Sequence, residues 1–450
     1  LLIRGMSWRH AMEEYSARNV VVVGGGIAGL TAAAELARGS ARVVLVEAGK
    51  ALGGRAQTRE VEGFSLNLGA HALYEAGAAA RVLAGLGVQL QGGEPARRGG
   101  VLVHGDARLP LPRSMLGLLM MAGLGFGERL AFGGVLAHAR RTRTPEESAQ
   151  SFAAWLDARG GSARLRAVVC AIARLSTYTA DLDLIDAASV LDQLAMAAKG
   201  VRYVDGGWQR LCAGLAEKAL GFGAVLQTGV AARRVHADRS VRSVELSDGR
   251  ILPADAVVLA LAPRRLAQLL PDDAECAADA ARLVPARAAC FDVGLRALGG
   301  PTKFALDMAV PHYYSLHSES ARLAPPGMHL IHTARYLRRH EQLSADALRS
   351  DLEDWLARFQ PRYAEQVAAQ QFFPNLTVME GLPMAERGGR AGRPRTQHGK
   401  IRGLFRAGDW VGSEGLLSDA AFASAAHASR EALGYLRELA NGQSARDHAA

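Results

Sequence analysis

Residues 20–29 read VVVVGGGIAG, and this stretch decides the fold. The four valines form a short β-branched run that is apolar on both faces, which is typical of a buried parallel strand. Gly24, Gly26 and Gly29 have the spacing G-x-G-x-x-G, which allows a tight turn, close approach of a diphosphate and close helix packing. An alanine-rich helix is predicted from Leu30 to Arg38. Its N-terminus presents free N–H groups and the positive end of the helix dipole, which suit a pyrophosphate.

The next predicted strand ends in an acid. Val43 to Val46 are apolar, and Glu47 closes the strand. A carboxylate at this position binds the hydroxyls of an adenosine ribose and disfavours a 2′-phosphate, so NADP is not expected here. A lone glycine motif is weak evidence in a chain with 50 glycines. This motif follows a strand and opens a helix, and the next strand ends in the acid Glu47. We therefore predict a dinucleotide site rather than a plain β-turn-α connection.

The composition describes a globular chain of 450 residues, long enough for two large domains or about three smaller ones. Hydrophobic residues make up 49% and charged residues 22%, which is sufficient for a sizeable core. The formal net charge is +9, but the short basic clusters at 140–143 and 387–395 contain no aromatic residues. Nucleic acid is therefore not a predicted partner, whereas a weak attraction to anionic membrane surfaces stays open.

The cysteines form no C-x-x-C pair and have no histidine at metal-ligand spacing. They are Cys170, Cys212, Cys276 and Cys290. Zinc and iron–sulfur sites are thus not expected, and we predict no metal. Four reduced, mostly buried thiols favour a cytoplasmic protein. Residues 1–18 lack the regions of a signal peptide and are predicted to form a disordered leader; residues 441–450 are predicted to form a disordered tail.

Three further loops are predicted to surround the same ligand. Gly53-Gly54-Arg55 follows the second strand, and its arginine would supply a bidentate cation for a diphosphate. Phe64 to His71 reads as a strand that runs into a glycine turn, which would pass close to a flat ring. His71 either contacts that ring or only begins a helix. Gly408-Asp409 ends a later strand, and the helix that follows would present N–H groups to ring carbonyl oxygens.

Two stretches interrupt the nucleotide-binding pattern. Residues 76–200 look mainly helical, with one helix from Glu146 to Asp157, and residues 264–398 combine strands with a helix from Ser344 to Phe359. Met115 to Gly127 is the most apolar run, but a membrane span needs roughly 20 residues, so we reject a span. This run is either a buried helix and loop of a cap domain or an apolar mouth that contacts a membrane or admits an apolar substrate.

The order of these pieces is similar to that of a known superfamily. Gly24 to Gly29 with Glu47, Gly53-Gly54-Arg55, the strand Asp255 to Pro263, and Gly408-Asp409 before Glu414 to Ala420 resemble the flavin amine oxidase and phytoene desaturase superfamily. The phytoene-desaturase-related branch is the most similar. The resemblance implies an α/β fold, in which a Rossmann-like FAD-binding domain built from discontinuous segments is joined to an α+β substrate-binding domain.

The resemblance also implies domain boundaries and residues that contact FAD. The FAD-binding domain would comprise 19–75, 201–263 and 399–440, and the substrate-binding or cap domain 76–200 and 264–398. The backbone of Val230 would lie near adenine, and Trp410 and Leu416 near the isoalloxazine. The implied FAD-binding residues are Gly24, Gly26, Ile27, Ala28, Gly29, Glu47, Ala48, Gly53, Gly54, Arg55, Gly69, Ala70, His71, Val230, Ala262, Gly408, Asp409, Gly415, Leu416, Leu417 and Ala420.

Three classes of function follow from the resemblance. The first is a FAD-dependent oxidoreductase, desaturase-like or dehydrogenase-like, which removes hydride from an apolar or amphipathic small molecule to flavin N5. The second is an amine or amino-acid oxidase using oxygen, and the third is a flavin-dependent isomerase or non-redox flavin-binding protein. A flavin hydroxylase would need a NAD(P)H site or a partner reductase, and no second glycine motif lies between a strand and a helix.

The residues around the substrate are less clearly marked. The pocket candidates are His71, Tyr178, Tyr313, His317 and Trp410. Many amine oxidases place a lysine near flavin N5, but Lys303 is the only lysine in 264–398 and its context differs. The sequence therefore leaves an ordinary amine oxidase in doubt, and it does not identify the oligomeric state.

Overall fold

The computed structural model describes residues 18–96, 98–111 and 124–447. Its strands are β1 (Asn19–Val23), β2 (Arg42–Glu47), β3 (Thr58–Val61), β4 (Phe64–Asn67), β5 (Leu73–Tyr74), β6 (Gly92–Gly93), β7 (Gly100–His104), β8 (Ala107–Pro110), β9 (Val201–Val204), β10 (Val225–Thr228), β11 (Ala232–Ala237), β12 (Val241–Leu246), β13 (Ile251–Pro253), β14 (Ala256–Leu259), β15 (Ala286–Leu295), β16 (Phe304–Asp307), β17 (His312–Leu316), β18 (His329–Leu337), β19 (Val367–Met379) and β20 (Leu404–Arg406). Its α-helices are α1 (Ile27–Arg38), α2 (Ala78–Gly85), α3 (Phe126–His138), α4 (Pro145–Ala149), α5 (Phe152–Asp157), α6 (Ala163–Thr177), α7 (Ala187–Ala197), α8 (Gln209–Gly221), α9 (Pro263–Leu269), α10 (Ala274–Arg282), α11 (Ala345–Ala357) and α12 (Leu417–Asp447).

A five-stranded parallel sheet contains the valine run that begins the chain's fold. Its order is β10-β2-β1-β14-β20, with β1 between β2 and β14. Val20 to Val23 are all buried, as expected for a strand that is covered on both faces. Helices α1, α8 and α12 pack on one face, and the β11–β13 sheet with α9 and α10 packs on the other. This is the Rossmann-like arrangement that the sequence predicts.

A seven-stranded sheet forms the second part of the molecule, in the order β19-β15-β18-β17-β16-β7-β8. Its neighbouring strands are antiparallel except β16 and β7. Side chains alternate between the two faces of a sheet. One face therefore places Phe291 of β15 against Trp355 of α11 in a buried cluster, while the opposite face packs on helices from the segment 126–197. The predicted fold class, with a Rossmann-like part and an α+β part, is confirmed.

One prediction within 76–200 is incomplete and another is wrong. Helices α2 to α7 make the segment mainly helical, as predicted, but β7 and β8 form a hairpin that joins the edge of the seven-stranded sheet. Glu146 to Asp157 is not a single helix. The chain is extended at Gln150 and Ser151, and the Ser151 hydroxyl accepts the N–H of Ala154 and so begins α5 separately from α4.

The ends of the predicted domains also need correction. Helix α12 continues to Asp447, so the disordered tail predicted from 441 is wrong up to that residue. Arg18, assigned to the leader, accepts the N–H of Arg42 through its carbonyl at 3.0 Å. Residues 1–17, and 115–123 of the apolar run, lie outside the described residues. The boundaries between the two domains stay a prediction.

Two predictions about the whole chain can be compared with the structure. All four cysteines are buried and free, as the sequence predicts. Within the described ranges, no helix combines the length and the apolar character that a bilayer crossing requires.

Candidate active site

A cavity of about 430 Å³ opens at the carboxyl ends of β1, β14 and β20 and extends to the seven-stranded sheet. Ligands of open parallel sheets bind at this end of the strands, and the volume falls in the range of ligand pockets, roughly 300–1,000 Å³. The predicted residues that line it are Gly24, Gly26, Ile27, Ala28, Glu47, Gly53, Gly54, Arg55, Gly69, Ala70, His71, Tyr178, Ala262, Gly408, Asp409, Trp410 and Leu417.

The glycine loop forms the cavity wall at the start of α1. Gly24 has φ +108°, which side chains rarely adopt, and a Cβ at Gly29 would lie 1.8 Å from the Gly24 oxygen. At Gly26 the nearest atom to an added Cβ is 4.0 Å away, so the backbone there is open. Ile27 and Ala28 begin α1 and line the cavity. Their N–H groups have no intrahelical acceptor, so this end of the helix suits an anion.

The loop after β2 lies against the glycine loop. The Gly53 N–H donates to the Gly25 oxygen at 2.8 Å, and Arg55 Nη1 donates to Asp409 Oδ2 at 2.8 Å. Asp409 is 3% exposed, and its Oδ1 has no hydrogen-bond partner among the described residues. A buried carboxylate oxygen without a partner is a position at which a ligand hydroxyl would be stabilised.

Glu47 lies at the cavity edge, where the sequence predicts it. Its two carboxylate oxygens accept the N–H groups of Gly25 and Gly49, each at 2.6 Å. These bonds fix the orientation of the carboxylate. Each oxygen keeps a further lone pair, so the group remains able to accept hydroxyls from a ribose.

His71 is a neutral part of the cavity wall. Its Nδ1 lies 2.9 Å from the Gly69 carbonyl oxygen, which can only accept, so Nδ1 carries the proton. Its ring lies 4.7 Å from that of Trp208. Burial lowers the pKa of His71 to about 4, so the imidazole is uncharged at neutral pH.

The seven-stranded sheet supplies the opposite wall. We call this surface the sheet wall; it consists of Ala288, Cys290, Ala334, Tyr336 and Leu376. The residues share one face because Ala288 is paired with Tyr336 and Leu376, and Cys290 with Ala334. None of the five was predicted from the sequence. The period-2 pattern in β15 and β18 indicates which residues of each strand share a face. The sequence does not indicate the pairing register that joins the two strands.

One rung beyond the sheet wall lies a buried contact between an aspartate and a histidine. Asp292 and His332 are paired across β15 and β18, and His332 Nδ1 lies 2.8 Å from Asp292 Oδ1 with neither side chain exposed. Gln371 Nε2 donates to the other Asp292 oxygen at 2.9 Å. Sequence reasoning missed this pair as well, because its partners lie on strands far apart in the chain.

Some predicted site residues do not line the cavity. They are Gly29, Ala48, Val230, Gly415, Leu416, Ala420, Tyr313 and His317. Tyr313 lies on the same sheet face but hydrogen-bonds to His317 Nε2 at 2.9 Å, and both are buried. The Val230 N–H donates to the Glu47 backbone oxygen at 3.1 Å, close to the cavity edge. The roles predicted for these residues stay predictions.

A cluster that could hold a metal is explained by internal hydrogen bonds. Asp273, Cys276 and His398 place one ligand atom each within 4.8 Å of one another. His398 Nδ1 accepts two backbone N–H groups, so the ring proton is on Nε2, which donates to Asp273 Oδ1 at 3.1 Å. Asp273 Oδ1 also accepts the Cys276 N–H and caps α10. Burial raises the Cys276 pKa, which disfavours the thiolate that a metal needs.

Comparison with known proteins identifies the family. The family described as flavin-containing amine oxidoreductase matches residues 27–433. The chain belongs to this family. A carotenoid 3,4-desaturase of Haloarcula japonica is 50% identical over 58 residues, which span 13% of this chain and 12% of the relative.

Solved structures of other proteins share the fold of this family member. An oxidoreductase from Methanosarcina mazei has a TM-score of 0.72 at 19% identity, with 90% of this chain and 98% of the other covered. Wild-type putrescine oxidase bound to putrescine has a TM-score of 0.68 at 16% identity, with coverage of 93% and 99%. At these identities the likeness shows the fold alone.

FAD is the cofactor of this flavin-containing oxidoreductase, and the cavity fits it. The anion-binding start of α1, the carboxylate at the cavity edge and the unpartnered Asp409 oxygen match a diphosphate, a ribose and a hydroxyl-bearing chain. The structure also shows where Lys303 lies relative to the cavity. Lys303 forms an ion pair with Glu319 outside the cavity, and no lysine lines the cavity within the described part of the chain.

Proposed function

We propose that the protein is a FAD-dependent oxidoreductase of the desaturase or dehydrogenase kind, acting on an uncharged apolar or amphipathic small molecule. Bound FAD supplies the hydride acceptor at its N5 atom. The observation that carries the proposal is the chemistry of the sheet wall. Its five residues are small, apolar or phenolic, and none is ionised at neutral pH. Transferring an ammonium group from water to such a wall would be unfavourable, whereas apolar carbon would be stabilised.

The chain's own residues have separate roles in this proposal. The start of α1 and Gly26 bind the diphosphate, and Glu47 binds the adenosine ribose. Asp409 accepts a hydrogen bond from a ribityl hydroxyl, and Arg55 balances the negative charge of Asp409. His71 presents a neutral imidazole near the ring. The sheet wall excludes water and orients the carbon that loses hydride. Desaturation and dehydrogenation then need no metal or catalytic triad, because the cofactor carries the redox chemistry.

A second candidate is an amine or amino-acid oxidase that uses oxygen. The description of the matched family favours it, and putrescine oxidase shares the fold. Two features of this chain oppose it: the cavity has no lining lysine among the described residues, and the sheet wall has no carboxylate to pair with an ammonium. We therefore rank it second.

Anaerobic reduction of the bound flavin separates the two candidates. The purified holoprotein is mixed with a series of cyclic and linear isoprenoids and, separately, with polyamines, aromatic amines and amino acids. We expect flavin absorbance to bleach with one or more isoprenoids and to stay unchanged with the amines. Bleaching by an amine alone, with rapid oxygen consumption in air, would establish the second candidate instead.

We also propose peripheral contact with a membrane. Phe126 and Leu130, at the start of α3, are 71% and 55% exposed. Phe126 belongs to the apolar run Met115 to Gly127, and Leu130 follows that run in the chain. Such side chains bind the boundary between headgroups and acyl chains. Co-sedimentation with anionic vesicles tests this: the substitutions F126S and L130S together should reduce the bound fraction, while S344A at the surface start of α11 should not.

A further inference from the structure

Five tyrosines lie near one another beside the sheet wall, and their hydroxyls fall into two groups. Tyr74 donates to the Ser176 oxygen at 3.0 Å. Tyr203 lies 3.2 Å from the Ser315 hydroxyl, and Tyr313 hydrogen-bonds to His317. These three hydroxyls have partners within the protein, and none of the three residues lines the cavity.

Tyr178 and Tyr336 differ on both counts. Both line the cavity, and their rings pack edge to face with centroids 5.8 Å apart. The Tyr336 hydroxyl is buried and has no hydrogen-bond partner in the described part of the chain. A buried polar group without a partner is unfavourable in the empty protein. It becomes favourable only when something in the cavity provides the missing bond.

The backbone of Tyr178 supports the same interpretation independently. This residue caps α6 in the left-handed conformation, with φ +54°, which is strained for a side chain other than glycine. Its N–H donates to the Arg174 oxygen at 2.7 Å, which holds the turn in place. The turn directs the phenol against Tyr336. Backbone strain of this kind clusters at ligand-binding positions.

The charges around the cavity define what the two phenols would bind. In the ranges that the structure covers, the carboxylates in the lining are Glu47, Glu380 and Asp409, and none belongs to the sheet wall. Glu380 lies beside Arg55 and donates its N–H to Asp409, so it belongs to the cofactor half. Asp292, one rung away, is already paired with His332. Burial raises the pKa of both phenols, so both remain neutral O–H donors.

We propose that Tyr178 and Tyr336 together bind one uncharged oxygen, a carbonyl or hydroxyl, of an otherwise apolar substrate. This inference rests on the proposed function and narrows it: the substrate is an apolar molecule that carries at least one uncharged oxygen, neither a pure hydrocarbon nor a polyamine. The two hydroxyls fix one end of the molecule, and the small side chains of Ala288 and Ala334 leave room for its carbon frame.

The test uses a ketone and a hydrocarbon with the same carbon skeleton. Carvone and limonene are titrated into the holoprotein, and dissociation constants are taken from the perturbation of the flavin absorbance spectrum. We expect carvone to bind about tenfold more tightly than limonene, as one hydrogen bond of a buried hydroxyl predicts. The substitutions Y336F and Y178F should each remove most of this preference while leaving limonene binding and FAD affinity unchanged.

Two control variants separate a ligand role from a structural one. Y435F removes the hydroxyl of a tyrosine in α12 whose ring packs on Phe405 of β20, away from the cavity, and should leave both dissociation constants unchanged. Without ligand, Y336F should be at least as stable as the original protein, because the lost hydroxyl had no partner. Y313F, which loses its bond to His317, should have a lower Tm.

Each outcome decides the inference. Equal binding of carvone and limonene to the unsubstituted holoprotein, including no binding of either, would overturn it, as would a carvone preference that survives both substitutions. Tighter binding of putrescine than of carvone would also overturn it. If no isoprenoid bleaches the flavin but the carvone preference still depends on Tyr336, the proposed reaction is wrong and the binding inference stands.

Discussion

The cofactor half of the cavity and the sheet wall differ in how the chain encodes them. The cofactor half rests on short contiguous motifs: residues 24–29 form the glycine loop, and Glu47 closes the next strand. The sheet wall brings together single residues of β15, β18 and β19. Only the pairing register of these three strands determines which of their residues become neighbours. A local motif fixes the ligand chemistry of the first region, whereas cross-strand pairing fixes that of the second. The cofactor is therefore readable from sequence and the substrate is not.

The largest effect is expected in the glycine loop, where G26V should abolish FAD retention. The structure has space for the new side chain, because an added Cβ meets nothing closer than the Gly53 oxygen at 4.0 Å. The protein should therefore fold, but valine would occupy the place of the diphosphate. Absorbance at 450 nm, roughly where protein-bound flavins absorb, and circular dichroism measure the two effects.

A neighbouring glycine provides the contrast for this prediction. A Cβ at Gly29 would lie 1.8 Å from the Gly24 oxygen, so G29A should impair folding itself. If the G26V protein is folded and fully yellow, the assignment of the diphosphate site to this loop is wrong.

The next effect concerns Asp292, one rung beyond the sheet wall, where D292A should lower the free energy of unfolding. The substitution leaves His332 and Gln371 buried without their partner. Leaving a buried polar group without its partner typically costs about 1–3 kcal/mol. Urea denaturation of the apoprotein measures it, and FAD affinity of the folded fraction should not change.

Asp272 offers a matched exposed pair for comparison. It lies 2.9 Å from Arg234, and both side chains are at least half exposed. D272A should change stability by less than about 1 kcal/mol. If D272A and D292A lowered the free energy of unfolding equally, the buried contact of Asp292 would stabilise the fold no more than an exposed ion pair does.

These two regions also show what the sequence could predict. Gly24, Gly26, Glu47 and Arg55 could be assigned to one site, and all four line the cavity, because each belongs to a motif that lies within one strand-loop-helix unit. The roles assigned to individual residues still await tests. The hairpin of β7 and β8 was missed, since its edge strands are short and lie between predicted helices.

The polar residues of the second region were harder to place. Tyr178 was predicted as a pocket residue and lines the cavity, but Tyr313 and His317 bond to each other instead. Tyr336 was missed. All three phenols look alike in sequence, and only their position relative to the cavity and their hydrogen-bond partners distinguishes them. Such information depends on strand register, which composition and periodicity do not contain.

A pH-dependent change in stability is expected from Asp419, which follows the cavity-lining residues Leu417 and Ser418 in the chain. Its Oδ1 accepts the Ala79 N–H at 2.7 Å and so joins α12 to α2. Burial raises the pKa of Asp419 to about 6, while an unfolded aspartate titrates near 3.9, roughly the model-peptide value. Between these pH values the folded state holds a proton that the unfolded state has lost.

The contribution of Asp419 to stability must therefore decrease as pH rises from about 4 to about 6 and then level off. The expected change is about 3 kcal/mol, at 1.36 kcal/mol for each pKa unit. We expect D419N to lack this pH-dependent change. The stability of D419N relative to the original protein should therefore increase as the pH rises from about 4 to about 6. Urea denaturation of both proteins at pH 4.5 and 7 samples about 2 kcal/mol of this change, because the unfolded aspartate is already mostly ionised at pH 4.5. A difference independent of pH would show that Asp419 has an ordinary pKa.

The smallest effect returns to the cofactor half, where D409N should weaken FAD binding by about tenfold, the value of one charge-assisted hydrogen bond. Asparagine keeps the shape but loses the ion pair with Arg55 and the negative charge on the unpartnered oxygen. Stability of the apoprotein should change by less than about 1 kcal/mol, because the Arg55 side chain is 47% exposed and water can stabilise it. D292N, one rung beyond the sheet wall, should have the reverse pattern: lower stability and unchanged FAD affinity. If both variants lost FAD to the same extent, the division of the cavity into a cofactor half and a substrate-facing wall would be wrong, since the same ligand would then depend on both carboxylates.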